Sequence, residues 1–358
     1  MKKIYFIRLW LALLLIFLIF IIITNDKQHE KKMVVNEKKY KGVAITLFDS
    51  NNNDAWYDKT LPKIKKLGGE LEVVTIVTVK NTNDPTPLND PKISDKLNRL
   101  IRKSKQYRVK ISLIKPHLMT PDQGDSFNRT TYNPSDVNLF FFKWQEIMSY
   151  YASVSKQNNI PLLSLSCETA YLSQNIYTSY WQSIINQVKL VNPHLKLTMS
   201  LTKGELDREL KYHEQGIKSV STILDYVGLD MYPRVIRQDN KKKIKINDDY
   251  FLKIDNSYGF IESIKKVKQY FNKKVLITET GATSRSDRSK KYNYIPSINS
   301  NLSDPTDHID QNQWIKVVLS IVLQMDEVEG VYVWHVNYPF QFLDSNTAKT
   351  IKALYNKY

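Results

Sequence analysis

The chain has 358 residues, 42% of them hydrophobic, and a net charge of +16, so it can bury a sizeable core as two domains or as one large barrel. A single cysteine excludes an intrachain disulfide framework. Basic residues are not gathered with any nucleic-acid-binding motif, and no His, Cys or Asp cluster has metal-ligand spacing, so no nucleic-acid partner, metal or other cofactor is expected.

Residues 1–24, MKKIYFIRLWLALLLIFLIFIIIT, open with two lysines and continue as an apolar run from Ile4 to Thr24, long enough to cross a bilayer as one transmembrane helix. Arg8 lies near the start, where a long side chain can snorkel to the headgroups. A cleaved signal peptide is the competing reading, but Ile21, Ile22, Ile23, Thr24 and Asn25 are not the small residues of a cleavage site. No nearby cysteine offers a lipid attachment point. The run therefore reads as an uncleaved signal-anchor. Lysines flank it on both sides, so the positive-inside bias is nearly balanced. The short basic start favours a single-pass protein of the cell membrane with its large domain extracytoplasmic.

Residues 25–41, NDKQHEKKMVVNEKKYK, read as a charged linker. Residues 1–42 hold nine Lys and Arg against three Asp and Glu. The remaining positive charge suits a solvated lysine-rich surface and allows weak contact with an anionic membrane or cell-wall polymer.

From Gly42 to residue 358 short apolar runs alternate with amphipathic segments. The runs are 43–48, 71–79, 109–114, 161–167, 195–201, 226–232, 274–280 and 330–336, eight predicted strands. Between them ISDKLNRLIRKSKQ sets Leu97, Leu100 and Ile101 on one helical face behind a Ser94 cap, and TSYWQSIINQVKLV does the same with Trp181, Ile184, Ile185 and Val188. DAWYDKTLPKIKKL, VNLFFFKWQEIMSYYASVSKQ, GFIESIKKVKQYF and QNQWIKVVLSIVLQM are further predicted helices. Repeated strand-then-helix units imply parallel strands, and eight of them imply a (β/α)8 TIM barrel, with an open doubly wound sheet as the alternative. No glycine-rich phosphate loop follows any strand, which weakens the nucleotide-binding form of that alternative. The basic segment 234–249, RVIRQDNKKKIKINDD, reads as a solvated loop, a lid or an anionic-polymer contact being its functional alternatives.

A barrel directs chemistry to the C-terminal ends of its strands. Those ends hold Asp49, the run Lys115-Pro116-His117, Glu168, Asp230, Tyr232, Glu279 and the run from Trp334 to Asn337. Glu168 and Glu279 fall on opposite sides of the mouth. Two facing carboxylates suit glycoside hydrolysis, one protonated to donate to the leaving oxygen and one ionised to attack or activate water. Trp334 can pack on the apolar face of a sugar, and the Tyr232 hydroxyl can hold an ionised carboxylate. Each residue also has a plainer reading: a solvated glutamate, a core or capping histidine, a core tryptophan. Cys167 alternates along its strand as a small hydrophobe rather than as a nucleophile.

In order and spacing, KGVAITLF, ISLIKPHL, SLSCETAYL, LDYVGLDMYP, KKVLITETGATS, DQNQWIKVVL and GVYVWHV resemble the clan A glycoside hydrolases, and among them glycoside hydrolase family 113, known for β-mannanases. The resemblance spans residues 42–358. It implies a retaining mechanism on a β-1,4-mannan-type substrate, with Glu168 as acid/base and Glu279 as nucleophile. Tyr232 would orient the nucleophile, while His117, Trp334 and Asp230 would serve the sugar site. Two departures stand out. Cys167 occupies the place where many clan members have asparagine, and Thr78, Val79, Lys80 and Asn81 stand where a mannanase aromatic is expected; both allow a different sugar preference. A non-catalytic glycan-binding or cell-wall scaffold protein on the same barrel is the alternative from another class, since function lives in the site and not in the fold.

Overall fold

Eight parallel strands close into a barrel in chain order: β1 (Tyr40–Thr46), β2 (Glu70–Thr78), β3 (Ile111–Met119), β4 (Leu162–Cys167), β5 (Lys196–Leu201), β6 (Val227–Asp230), β7 (Val275–Thr280) and β8 (Val328–Val333), which pairs back with β1. Each strand is followed by a helix: α1 (Asp54–Leu67), α2 (Pro91–Tyr107), α3 (Val137–Asn158), α4 (Thr178–Val191), α5 (Lys203–Glu214), α6 (Phe260–Phe271), α7 (His308–Val322) and α8 (Asn346–Lys357). This is the predicted (β/α)8 barrel. The computed structural model describes residues 39–48, 52–124, 126–233, 235–238, 243–246, 258–284, 294–295 and 308–358. The predicted anchor of residues 1–24, the linker as far as residue 38, and Asp49 lie outside them. Among the described residues no helix is long and apolar enough to cross a membrane.

Several boundaries differ from the sequence reading for identifiable reasons. The first strand begins at Tyr40, inside the predicted linker. Helix α2 starts at Pro91 instead of behind Ser94, because the Asp90 side chain accepts from the Lys92 N–H and Pro91 supplies a preset φ at the first turn. Strand β3 runs through Pro116 to Met119: its pairing with β4 ends at Ile114 while the β2 register continues to Met119, and a half-free strand tolerates proline. Helix α5, not anticipated, carries a capping box in which Thr202 and Glu205 satisfy each other's backbone donors. In place of a loop, segment 234–249 contributes two antiparallel strands, Val235–Gln238 and Lys243–Ile246, joined by Tyr294–Ile295 in a small separate sheet.

Alternation along the strands divides the interior. Outward residues such as Val43, Val73, Leu163, Leu165 and Ile277 join the helices in one large apolar core. Inside the barrel, Leu113, Leu162, Leu276 and Tyr332 form an apolar floor. Ala44, Val74, Trp334 and Phe340 form an upper cluster flanked by Phe48 and Tyr232. The glycine in the first strand is dictated by this filling, since a Cβ on Gly42 would lie 2.3 Å from the Tyr332 ring. Between floor and upper cluster, β2 and β3 present charged side chains, Glu72 and Lys115, both fully buried.

Candidate active site

Strict alternation would turn Cys167 outward with Leu163 and Leu165, and Glu279 outward with Val275 and Ile277. Neither points that way, because two strands slip by one residue. Between Ser164 and Cys167, β4 advances three residues while β5 advances two. Between Ile277 and Thr280, β7 likewise gains a residue on β8, and it does so on β6 as well. Such bulges re-aim side chains at the cost of ladder hydrogen bonds. The freed carbonyls find other donors. In β4, Leu165 O accepts from Trp144 Nε1 at 2.8 Å and Ser166 O from Ser164 Oγ at 2.7 Å. In β7, Thr278 O accepts from Lys115 Nζ at 3.1 Å.

Glu279, turned inward, meets a dense set of partners. Its Oε1 accepts from Lys115 Nζ at 2.6 Å and lies 3.4 Å from His117 Nε2. Its Oε2 accepts from the Tyr232 hydroxyl at 2.8 Å. Burial alone would raise this carboxyl, but the Lys115 ammonium, supported by His117, outweighs it and holds Glu279 well below the usual carboxylate range. Glu279 is therefore ionised at neutral pH.

Lys115 serves more than one acid. Its Nζ also lies 3.1 Å from Glu72 Oε1 and 5.0 Å from the centre of the Trp334 ring. One ammonium cannot neutralise every carboxylate around it. Burial, reinforced by Glu279 and opposed by Lys115, pushes Glu72 up to about 8. Burial and the Glu279 charge likewise raise Asp230 well above the carboxylate range. Ionised Glu279 therefore sits beside two carboxyls, Glu72 and Asp230, whose burial favours the protonated form. Asp230 Oδ1 lies 2.6 Å from Thr278 Oγ1 and its Oδ2 3.5 Å from Cys167 Sγ.

Glu168 reaches the same place from β4 by different means. It stands just past the strand with φ 53, a left-handed conformation uncommon outside glycine, while its N–H donates to Ser200 O at 2.8 Å. Arg129, from a short helical turn in the β3–α3 connection, donates to Glu168 Oε2 at 3.1 Å. The Glu168 side chain is 24% exposed, whereas Glu279 is buried. Both carboxylates adjoin one sulfur: Glu279 Oε1 is 4.0 Å from Cys167 Sγ, and a Glu168 oxygen lies within 4.8 Å of it.

The remaining predicted residues surround this pair. Trp334 follows β8, stacks on His117 with ring centres 5.7 Å apart, and is held close by Gly281, where a Cβ would lie 2.4 Å from Trp334 O. His117 has no exposed surface and backs the Trp334 ring from within the barrel instead of facing the opening. Helix α7 braces the rim, Trp314 Nε1 donating to Pro233 O at 3.2 Å and Gln311 Nε2 to Ala282 O at 3.0 Å and Phe340 O at 2.9 Å. Sequence reasoning missed Glu72 and Arg129 and gave Lys115 no role; the strand charges were visible as acid and base on inward positions, but Arg129 carries no such signal. Thr78, Val79 and Lys80 line a separate cavity of about 560 Å³ between the β2–α2 connection and α3, which includes none of these residues.

Two sets of donor atoms lie within 4.8 Å of one another, His117 with Cys167 and Glu279, and Cys167 with Glu168 and Asp230. Linear spacing conceals them because they come from four strands. They are poorly suited to a metal: ligands bind deprotonated, whereas burial and Asp230 hold the Cys167 thiol well above its ordinary range and burial raises Asp230 as well. Lys115 already supplies the cation at Glu279. The arrangement can offer one fixed anion and one solvent-accessible carboxyl to a bond held between them.

The sequence model of Glycoside Hydrolase Family 113 matches residues 51–357. Among solved structures, a GH113 β-1,4-mannanase is similar with a TM-score of 0.68 and 16% identity, over 90% of this chain and 100% of the other. The GH113 β-mannanase AaManA from Alicyclobacillus acidocaldarius, in complex with ManMIm, gives a TM-score of 0.65 at 12% identity, over 89% of this chain and 97% of that one. A β-D-glucuronidase from Dictyoglomus thermophilum gives 0.56 at 13% identity, over 89% of this chain and 51% of its own. At such identities the structural likeness is one of fold. No curated protein sequence matches the chain.

Proposed function

Because the chain belongs to Glycoside Hydrolase Family 113 and is a glycoside hydrolase, we propose that it cleaves β-linked mannan-type polysaccharides or oligosaccharides with retention of configuration. Glu279 attacks the anomeric carbon and forms a glycosyl-enzyme ester while Glu168 passes its proton to the departing oxygen. In the second half Glu168 takes a proton from water, the water attacks the anomeric carbon, and Glu279 leaves as a carboxylate. Tyr232 orients the nucleophile, and Trp334, His117 and Asp230 shape the sugar site.

The observation that carries this reading is the contrast in burial and partners between the two glutamates around Cys167. Glu279 is buried and ionised against Lys115; Glu168 is partly exposed and lies beside Arg129. Mannan is the first candidate because the mannanases named above share the fold over nearly their whole length. The apolar run of residues 1–24 supports a retained anchor with the barrel outside the cell, and the basic surface supports weak contact with an anionic wall polymer.

The test is a screen of β-mannan, β-glucan, xylan and amino-sugar oligomers with the soluble barrel, beside Glu168→Gln and Glu279→Gln. Mannan turnover with retained anomeric configuration is expected, and both variants should lose about 10²- to 10⁴-fold or more in kcat. An activated aryl glycoside, whose leaving group needs no proton, should form the intermediate in Glu168→Gln but not in Glu279→Gln. Turnover surviving both substitutions would sink the assigned roles, and binding without turnover in the parent would point to a glycan-binding protein. Protease accessibility on intact cells tests the orientation.

A further inference from the structure

The nucleophile's position depends on a residue that touches no open space. Lys115 extends from β3, two residues beyond the apolar floor at Leu113, and its side chain is fully buried. It makes two contacts at the slip in β7: Nζ donates to Thr278 O at 3.1 Å and to Glu279 Oε1 at 2.6 Å. The first satisfies a carbonyl within the bulge, and the second meets the side chain that the bulge turns inward. Glu72 Oε1 from β2, 3.1 Å away, closes on the same ammonium from the other side.

We propose that Lys115 is the positioning residue of Glu279, its ammonium both pinning the bulge that aims the carboxylate and supplying its counter-charge, with Glu72 holding the ammonium in place. This rests on the reading of Glu279 as nucleophile. Among the described residues, the charged and titratable groups around Glu279 are Glu72 of β2, Lys115 and His117 of β3, Cys167 and Glu168 at β4, and Asp230 and Tyr232 at β6. Lys115 is the lysine in direct contact with it among the described residues, and His117 Nε2 lies 3.4 Å from the same oxygen. Burial works against ionisation at Glu279, and the ammonium is the largest opposing influence. During glycosylation the carboxylate loses its charge to the ester, and the ammonium keeps the Glu72 carboxyl within reach.

The experiment compares the parent with Lys115→Met, and with the double variant Lys115→Met/Glu72→Gln in case the lone buried Glu72 prevents folding. On a mannan oligomer, kcat should fall about 10²- to 10³-fold while KM moves less than about threefold. The acid limb of kcat/KM should move to higher pH, since burial then acts on Glu279 without the opposing ammonium. In Lys115→Ala, added n-propylammonium should restore turnover and propanol should not, a difference that mere packing does not produce. Independently of any turnover, the ¹³C-carboxyl signal absent from Glu279→Gln should titrate at higher pH in the Lys115 variants. An unchanged titration of that signal would overturn the proposal; a shifted titration in a protein that hydrolyses no glycoside would keep it while refuting the assigned reaction.

Discussion

The Tyr232 hydroxyl donates to Glu279 Oε2 across 2.8 Å, on the carboxylate oxygen that Lys115 does not hold. Glu279 is thus gripped from two strands, each fixing one oxygen. Tyr232→Phe removes one grip without altering the ring. A hydrogen bond to a charged group is worth about 1.5–3 kcal/mol, so kcat should fall about 10- to 100-fold with the thermal midpoint nearly unchanged. Steady-state kinetics beside calorimetry checks this; an unaffected kcat would remove Tyr232 from the site.

Glu72 makes the barrel sensitive to alkali. Its carboxyl, pushed up to about 8 by burial against the opposing pull of Lys115, keeps its proton in the native state over a range where the unfolded chain has lost it. The native state then binds more protons, so stability from this group is complete below about pH 4.5 and is lost as pH rises through 8. Glu72→Gln should flatten that decline. Thermal midpoints at pH 5 and pH 9 should fall less in the variant than in the parent, and parallel profiles would show that Glu72 is already ionised.

Trp144 is tied to the site through the backbone. Its indole N–H satisfies Leu165 O inside the slip that precedes Glu168. Trp144→Phe leaves a buried carbonyl unpaired, a loss of about 1–3 kcal/mol, and loosens the turn that sets Cys167 and Glu168. Urea unfolding should report the first effect and a lowered kcat the second. A destabilised variant with undiminished kcat would separate the bulge from catalysis.

Cys167 should be inert despite its central place. The side chain is buried, and burial together with Asp230 keeps the thiol protonated. Iodoacetamide at pH 8 should leave both activity and mass of the native protein unchanged, and should add one group after denaturation. Rapid alkylation of the native protein would contradict the burial on which the site's electrostatics depend.

Much of the barrel was legible because alternation and amphipathic spacing repeat eight times, and helix α4 is predicted residue for residue as Thr178–Val191. The two glutamates were legible because a barrel offers its strand ends to chemistry. The slips were not. LSLSC reads as unbroken alternation, so Cys167 appears to belong with Leu163 and Leu165, and nothing in ITET announces the extra residue. Lys115 and Glu72 gain meaning only once parity assigns them to the interior, and Arg129 arrives from a connection whose course the strand pattern does not specify. The segment 234–249 reads as a loop because its lysine-rich composition masks a hairpin.

The slip in β7 also bears on how such a site can change. Side-chain direction along a strand behaves as a two-valued phase, and one added residue advances it by half a period. Substitutions near Thr278 can adjust Glu279 by fractions of an ångström, but a change of length there exchanges inside for outside. Glu279 points into the barrel because β7 carries one more residue than its neighbours there, so strands of unequal length, aligned without a gap, would place a neighbour in its position.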